Sequence, residues 1–568
     1  MTVLPPRTAP LPPRTAPANR LLGALLLLPA TLALLWSYVL PSLSTVVESF
    51  QRGSLLGQRR PAPPIADEGA GFENYERALN GNFFGGLGTV VLMALVPLLA
   101  ALVVAPLLAL AADRAGRVAR VVTRVLLALP IALYAPTAVV IGWYTGRLRD
   151  GSWEFGARST SVWVFAWLSA GLVVAIAATA FLAVLRDRSP GRRPGPALLV
   201  VGAVLGLGIL ATVLQTITVP LLLPTRSPPP VSAAVLRSLA VADFGPGAAA
   251  SVVLLVMLGV LGLGTVALLL ATRTRIEVAP AEPVRPAHPA AVVAVAVGGV
   301  ALLAILGYAL FPWLRHTTSL GGDLPRGFST GRIILNTWLP PLVSAVVGVG
   351  LAALGGYAIG ALRPLGRWSE LLLLPFAPWL FVGTGPLAIA GYQRTRDFSQ
   401  IDTFLGLIPP TWLSIPALVL FTLFFRARRS TVVSALPLAA FTLLLVWLLS
   451  AQEVLWPYLV AQSPTNRPAP LTAVTLSQGL AAFGGTEAAL ALVLPLPLLL
   501  LFAAAFVALQ VGYLDRLTVR IGRERSAFAP PPGAAPPVPG MVPPPGTAPP
   551  PPRPVPPRPA PPFAPPNG

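Results

Sequence analysis

The sequence predicts an all-α integral membrane protein whose twelve transmembrane helices form two parallel six-helix repeats. Of its 568 residues, 55% are hydrophobic and only 11% are charged, whereas roughly 25% of a typical soluble domain is charged. The apolar residues fall into repeated runs of about 20, the length of a helix that crosses a bilayer. The two halves of the chain also repeat short motifs in the same order, which predicts an internal duplication.

Each long apolar run is interpreted as one span. The first run follows basic residues, as a signal peptide would, but it is long, lacks an A-x-A cleavage site and precedes further spans, so we expect a retained helix. The predicted spans cover 21–40, 87–112, 121–145, 161–185, 197–223, 248–270, 290–313, 336–362, 371–390, 408–425, 435–450 and 488–511.

The segments between and around the spans divide the chain further. Residues 1–20 are polar and proline-rich and are predicted to be a disordered arm. The first six-helix half covers 21–271, a cytoplasmic linker covers 272–289, and the second half covers 290–526. Residues 527–568 contain 21 prolines and are predicted to be a disordered, polyproline-like tail.

The loop charges predict the orientation. With both termini in the cytoplasm, the inner segments carry 25 arginines and 7 acids, and the outer loops carry 15 arginines and 13 acids. Basic residues concentrate on the cytoplasmic side of membrane proteins, so the net charge of +20 is interpreted as mostly topogenic, with attraction to the anionic bilayer surface as a by-product. The arginines are dispersed and not interleaved with aromatic residues, which argues against nucleic-acid binding.

The duplication is predicted from three pairs of motifs that occur in the same order in both halves. An even number of spans in each half makes the repeats parallel, related by an axis along the membrane normal. The pairs are 38–41 with 308–312, 114–117 with 363–367, and 244–245 with 483–484.

The composition excludes several classes of function. The chain has no cysteine and only two histidines, so a thiolate or histidine metal site is not expected. None of its 40 basic residues is lysine, which excludes a standard P-loop ATPase, because that loop needs a lysine to reach the phosphates. We therefore expect no enzyme activity, no metal and no cofactor.

Several ordered motifs resemble those of sugar-type ABC-transporter permeases. Residues 71–79 (GFENYERAL) are similar to the G-L-x-N-Y-x-x-A-L segment before the second span. In the second half, 356–367 resembles A-A-Y-A-L-A-R-x-x-x-x-G-R, and 401–409 resembles L-x-N-T-x-x-G-L-I-L-P. Residues 452–460 (QEVLWPYLV) are similar to N-D/E-F-L-W-P-L-L-V. The chain as a whole therefore resembles two such permease subunits fused in one polypeptide.

The resemblance implies a function. The chain would form the pathway of an ABC importer for a sugar or related solute in a bacterial plasma membrane. Cytosolic ATPase subunits would power it, and an extracellular solute-binding protein would deliver the solute. In this family solute lies between the halves, against aromatic and polar side chains. The candidates for such contacts are Trp143, Tyr144, Trp447, Gln452, Glu453 and Trp456.

The loops between the fourth and fifth spans of each half depart from the family pattern. There the family carries an E-A-A-x-x-x-G helix that couples the permease to the ATPase, whereas 186–196 and 426–434 are short, arginine-rich and free of that motif. Either these loops contact an unusual ATPase, or the chain is a permease relative that is not coupled. The candidate contact residues are Arg186, Arg188, Arg192, Arg193, Arg426, Arg428 and Arg429.

A further alternative is a secondary transporter of the major facilitator type, which also has a 6+6 arrangement. Residues 112–117 (ADRAGR) resemble its G-x-L-A-D-R-x-G-R-R loop between the second and third spans, although the leading glycine is missing. An ion-coupled transporter of this kind needs ionisable residues within its spans. The predicted spans are nearly free of them, which favours the permease interpretation.

Overall fold

The computed structural model describes residues 17–51, 71–79, 83–148, 157–187, 194–217, 244–279, 286–317, 324–427, 431–478 and 485–522. The predicted N-terminal arm therefore falls almost wholly outside the described residues, and so does the predicted C-terminal tail. The described residues all belong to a first unit that ends at Gly522. A second unit, Arg523–Gly568, lies outside them.

The first half of the described chain is almost entirely helical. It contains α1 (Pro17–Leu34), a π-helical turn (Leu35–Val39), α2 (Leu40–Ser49), α3 (Glu73–Leu79), α4 (Phe83–Leu99), a second π-helical turn (Ala100–Val104), α5 (Ala105–Arg114), α6 (Gly116–Ala132), α7 (Pro136–Leu148), α8 (Ala157–Leu185), α9 (Gly195–Leu214), α10 (Phe244–Ala271) and strand β1 (Arg275–Val278).

The second half is helical with more interruptions. It contains α11 (Pro289–Thr317), α12 (Thr330–Tyr357), a π-helical turn (Ala358–Leu362), 3₁₀ helices (Gly366–Leu373 and Ala377–Trp379), α13 (Ala388–Asp397), α14 (Ile415–Phe425), α15 (Val432–Ala451), α16 (Leu455–Val460), a 3₁₀ turn (Pro464–Asn466), α17 (Ala469–Gln478), α18 (Thr486–Val493), α19 (Leu496–Gly512), a 3₁₀ turn (Leu514–Arg516) and strand β2 (Leu517–Arg520).

Within the described residues, nine helices are long and apolar enough to cross a membrane. A tenth span is added if α6 and the first part of α7 are one span, broken by a 75° bend. Pro136 accounts for the break, because proline disfavours helical geometry in the residue before it and clashes with the carbonyl four residues earlier. These ten correspond to ten of the predicted spans, so an all-α membrane protein is confirmed.

The other two predicted spans are not regular helices of spanning length. Residues 371–390 form 3₁₀ helices and turns followed by the start of α13, so a continuous helix there was a wrong prediction. Residues 408–425 are helical only in α14. The physical reason for the first break is local: Pro375 and Pro378 lack the amide hydrogen that a continuing helix needs.

Irregular backbone within a membrane protein must find hydrogen-bond partners inside the protein. The Gln215 side chain, at the end of α9, supplies them for residues 371–390, which we call the broken segment. Its Nε2 donates to the carbonyl of Phe381 at 2.7 Å, and its Oε1 accepts from the amide of Gly383 at 2.7 Å. The broken segment is therefore held by a residue of the other half.

The loop that enters α14 is satisfied in the same way. The Tyr38 hydroxyl donates to the carbonyl of Leu413 at 2.9 Å, and the Ser37 hydroxyl accepts from the amide of Trp412 at 3.1 Å. The Ser344 hydroxyl, from α12, donates to the carbonyl of Thr411 at 3.2 Å. These bonds hold non-helical backbone between the π-helical turn Leu35–Val39 and α12.

The two halves interlock through their helices. α1 packs on α12, and α11 packs on α5. α10 packs on the 3₁₀ turn Ala377–Trp379, and α19 packs on α6. After the last long helix of each half, β1 and β2 pair antiparallel, with Arg275 opposite Arg520 and Val278 opposite Leu517. β1 lies within the predicted linker, which is thus partly structured.

Segments predicted to be cytoplasmic meet at one end of the bundle, which we call the arginine-rich end. Arg186 and Asp515 form an ion pair there, Arg426 and Glu370 form another, and the amide of His288 donates to the carbonyl of Arg114. Each contact joins segments that an even number of predicted spans separates.

The packing of α10 on the broken segment generates a stability prediction. A Cβ at Gly262 would overlap the carbonyl oxygen of Ala377, whereas a Cβ at Gly264 would meet nothing within 4 Å. We expect Gly262→Ala to destabilise the protein by about 2 kcal/mol through overpacking. Gly264→Ala is the matched control on the same helix and is expected to leave stability unchanged or slightly raised.

The measurement is thermal unfolding in a mild detergent, followed by the loss of the monodisperse size-exclusion peak. Equal unfolding midpoints for the two variants would contradict the close approach of α10 to the broken segment.

Candidate functional site

A cleft with several polar groups opens where the first span of the first half meets the broken segment of the second half. We call it the polar cleft. Three serine or threonine residues, one arginine and one tryptophan contribute to its wall. Its lining residues are Ser37, Pro41, Thr384, Leu387, Gly391, Arg394, Pro410, Thr411 and Trp456.

The indole of Trp456 is held rigidly in the wall. Its Nε1 donates to the carbonyl of Gly406 at 2.9 Å, and the side chain is buried. A Cβ at Gly391 would come within 3.0 Å of the ring, so the absence of a side chain there lets α13 approach it. The ring is therefore a fixed aromatic part of the cleft wall.

Arg394 forms the polar rim of the cleft. One of its terminal nitrogens donates to the carbonyl of Trp36 at 2.8 Å, and the guanidinium lies 4.2 Å from the centre of that indole. The cation–π contact and the hydrogen bond together fix the charge at the junction of α13 and the first span.

Glu453 reaches the cleft through Thr384. The Thr384 hydroxyl, which lines the cleft, donates to Oε1 of Glu453. Burial raises the pKa of the Glu453 carboxyl, and the hydrogen bond from Thr384 opposes that shift. Desolvation disfavours the charged form of a carboxyl group, whereas a hydrogen bond to that form favours it. The Glu453 carboxyl group therefore lies next to the polar cleft and is connected to it through Thr384.

A second, apolar cleft lies at the bend between α6 and α7. It is lined by residues of the bend together with α8 and α11, namely Pro130, Leu133, Tyr134, Ala135, Pro136, Val139, Gly171, Leu172, Leu306, Ala309 and Leu310. Trp143 lies beside it: its Nε1 donates to the carbonyl of Ala309 at 2.8 Å, and its ring contacts Tyr308 edge-on at 5.2 Å. The backbone of Tyr144 is helical, but its side chain lies outside the described residues.

Two other predicted site residues serve packing in the described structure. Trp447 donates to the carbonyl of Trp338 at 2.8 Å and packs its ring against Trp338 and Phe502. Gln452 is buried and donates to the carbonyl of Val493 at 3.2 Å. That carbonyl lies at the break between α18 and α19, so Gln452 satisfies a group that the broken helix leaves unpaired.

The proposed ATPase-contact residues are described only in part. Arg186 pairs with Asp515 at 3.0 Å, and Arg426 pairs with Glu370 at 2.9 Å and donates to the carbonyl of Thr274 at 3.3 Å. Both guanidinium groups are thus used within the chain. The remaining five, Arg188, Arg192, Arg193, Arg428 and Arg429, lie outside the described residues.

Among the described residues, the most deeply buried charged side chain is one that the sequence did not single out. Arg124, in α6, is 1% exposed, and it donates to Oε1 of Gln510 at 3.1 Å. Its Nε lies 3.7 Å from Asp515 Oδ1. The only available signal was an arginine within a predicted span, which by itself marks a functional candidate.

Comparison of the chain with protein-family models, curated proteins and solved structures gives no match.

The raised pKa of Glu453 predicts a dependence of stability on pH. A carboxyl group whose pKa is higher in the folded state binds its proton more tightly there, so its ionisation weakens the fold as pH rises above the ordinary value of 4.5. Glu453→Gln is expected to unfold at a higher temperature than the parent at pH 8, by on the order of 2 °C, and at nearly the same temperature at pH 4.5.

Thermal unfolding across this pH range checks the expectation. The matched control is Glu487→Gln, which removes a carboxyl that is 64% exposed. A Glu453→Gln curve parallel to that of the parent at every pH would show that the carboxyl carries no such penalty.

Proposed function

We propose that the chain is the membrane-spanning permease of a sugar-type ABC importer, with two duplicated six-span halves that form one solute pathway. The single observation that carries the proposal is the reciprocal packing of the halves. The first span of each half packs on the second span of the other half, as α1 on α12 and α11 on α5. The sixth span of each half likewise packs on the third predicted span of the other half, as α10 on Ala377–Trp379 and α19 on α6.

Equivalent residues at equivalent positions support the duplication. α9 and α15 both have 20 residues, and a glutamine, Gln215 or Gln452, follows each at once. Residues 215–222 (QTITVPLL) parallel 452–459 (QEVLWPYL), with glutamine, proline and leucine at the same spacing. Both glutamines donate to the backbone of broken elements.

The polar and apolar clefts also occupy corresponding places. Each lies between the first span of one half and the third predicted span of the other half. When residues 215–222 are aligned with 452–459, Thr216 corresponds to Glu453, so only the second half has a carboxyl group at this position. An aromatic face, hydroxyl groups and a carboxyl are the groups that bind a polyhydroxylated solute, by stacking and by hydrogen bonds to its hydroxyls. The polar cleft is accordingly the proposed solute contact.

Ion pairs connect the two halves at the arginine-rich end. Arg186 of the first half pairs with Asp515 of the second half, and Arg520 of the second half pairs with Asp187 of the first at 3.1 Å. These pairs join the two halves, and we propose that they close the pathway at this end. Opening it requires the fourth span of the first half to separate from the chain that follows the sixth span of the second half. In the importer, closure of the ATPase subunits would govern that movement.

A second candidate is a permease relative that no ATPase drives, and a specific observation favours it. α8 ends at Leu185 and α9 begins at Gly195, while α14 ends at Phe425 and α15 begins at Val432. A coupling helix of about 10 residues is about 15 Å long and also needs flanking turns. These intervals are too short to contain one.

A cross-linking experiment separates the two candidates. The chain has no cysteine, so Ser189→Cys and Ser430→Cys each add a single thiol to one of the two loops. In membranes of the native host, we expect both variants to form a cross-link with a nucleotide-hydrolysing subunit that co-purifies in stoichiometric amount. Gln462→Cys, at an exposed position in a predicted outer loop, is the control and should form none.

The importer proposal fails if neither loop variant cross-links to an ATPase while the purified chain remains monodisperse. The uncoupled permease relative is then the better assignment.

The interlocking of the halves predicts that they survive cleavage of the connection between them. A protease site inserted after Pro283, in the predicted linker, would divide the chain without removing β1 or α11. We expect the two fragments to elute together from a size-exclusion column in mild detergent, because α1, α10, α11 and α19 each pack across the halves. Separate elution would contradict a single pathway formed by both halves.

A further inference from the structure

Three arginines lie near one another at the arginine-rich end, and two of them face one aspartate. Arg120 and Arg124 lie one turn apart on α6, and Arg186 follows the end of α8. Arg186 pairs with Asp515 at 3.0 Å, and Nε of Arg124 lies 3.7 Å from the same carboxylate. Arg120 and Arg186 are the like charges that act on Arg124.

The hydrogen bonds of this cluster are incomplete. Among the described residues, Nε of Arg120, Arg124 and Arg186 has no hydrogen-bond partner, although each of these nitrogens is buried. The side chain of Arg124 is 1% exposed and that of Arg186 is 7% exposed. Oδ1 of Asp515 is also buried without a partner, 3.7 Å from Nε of Arg124, but one carboxylate oxygen does not serve all three donors. Because a buried charged donor without an acceptor is unfavourable, the arrangement calls for a further acceptor.

The neighbouring charges do not supply that acceptor. Arg520 pairs with Asp187 at 3.1 Å and with Glu277 at 2.7 Å, and Arg275 pairs with Glu277 at 2.7 Å. These two arginines and two acids balance one another. Against the single carboxylate of Asp515, the guanidinium groups of Arg120, Arg124 and Arg186 therefore leave an excess of two positive charges in this cluster within the described residues.

We propose that Arg120, Arg124 and Arg186 bind the phosphate group of an anionic ligand. A phosphate oxygen accepts charge-assisted hydrogen bonds from guanidinium groups and carries the negative charge that the cluster lacks. Its source is either the headgroup of an anionic lipid or a soluble phosphate compound, since both carry the same group.

The position of the cluster allows either source to reach it. Arg120 is partly exposed, one turn nearer than Arg124 to the start of α6, so it forms the entrance. Val118 and Val122 of the same helix are exposed, at 78% and 47%, and provide an apolar surface for acyl chains beside that entrance. The α6 arginines continue outward with Arg117, which is exposed. Anionic headgroups concentrate at the cytoplasmic leaflet, where the predicted topology puts this end.

The test uses the purified full chain in a neutral detergent with phosphatidylcholine. Its unfolding midpoint is measured against increasing phosphatidylglycerol in one arm and against increasing inorganic phosphate at constant ionic strength in the other. The parent is compared with Arg120→Gln, with Arg120→Lys and with the exposed control Arg117→Gln. Arg120 is chosen for substitution because Arg124 and Arg186 also hold helices together.

A rise in the midpoint of the parent and of Arg117→Gln supports the site if Arg120→Gln needs about tenfold more ligand for half the effect, as expected for one lost charge-assisted bond. Arg120→Lys, which keeps the charge but not the planar fork, should fall between them. A response to phosphatidylglycerol alone identifies a lipid headgroup, and a response to phosphate identifies a soluble source. The site is overturned if neither ligand stabilises the parent, or if Arg120→Gln responds as the parent does.

Discussion

The need to satisfy every backbone amide and carbonyl away from water underlies this architecture. Regular helices meet that need by themselves, and most of the chain is built from them. Where the chain is not helical, as between α12 and α14, side chains from other elements form hydrogen bonds with the backbone groups. Gln215, Ser37, Tyr38 and Ser344 each contact backbone of the broken region. Because the first three belong to the opposite half, the halves cannot be considered as separately folded pieces.

The sequence predicted the long helices well and the breaks poorly. An apolar run reveals that a segment avoids water, and ten runs became helices of spanning length or a bent pair. The same apolarity in 371–390 concealed a chain of 3₁₀ turns, since hydropathy does not report local geometry. The partner that makes those turns tolerable, Gln215, lies far away in sequence. Such a break becomes predictable only when both sides of the contact are known.

The candidate site was predictable to a similar extent. Trp456 and Glu453 stood out because the motif around them resembles a known one. Trp456 lines the polar cleft, and Glu453 accepts a hydrogen bond from Thr384 in its wall. Ser37 and Thr384 carried no signal, because single hydroxyl residues are common in apolar helices. Arg124 was hidden for a different reason. Its partners, Gln510 and Asp515, come from the far end of the chain, so no local pattern could link them.

The short ribbon of β1 and β2 limits how the two halves can move. Four residue pairs join the segments that follow the two sixth spans. Relative motion of α10 and α19 is therefore smallest at the ribbon and grows with distance along these two helices. α10, with 28 residues, is about 42 Å long. The ribbon thus acts as a pivot, so a tilt of α10 by a few degrees about it displaces the opposite end of that helix by several ångströms.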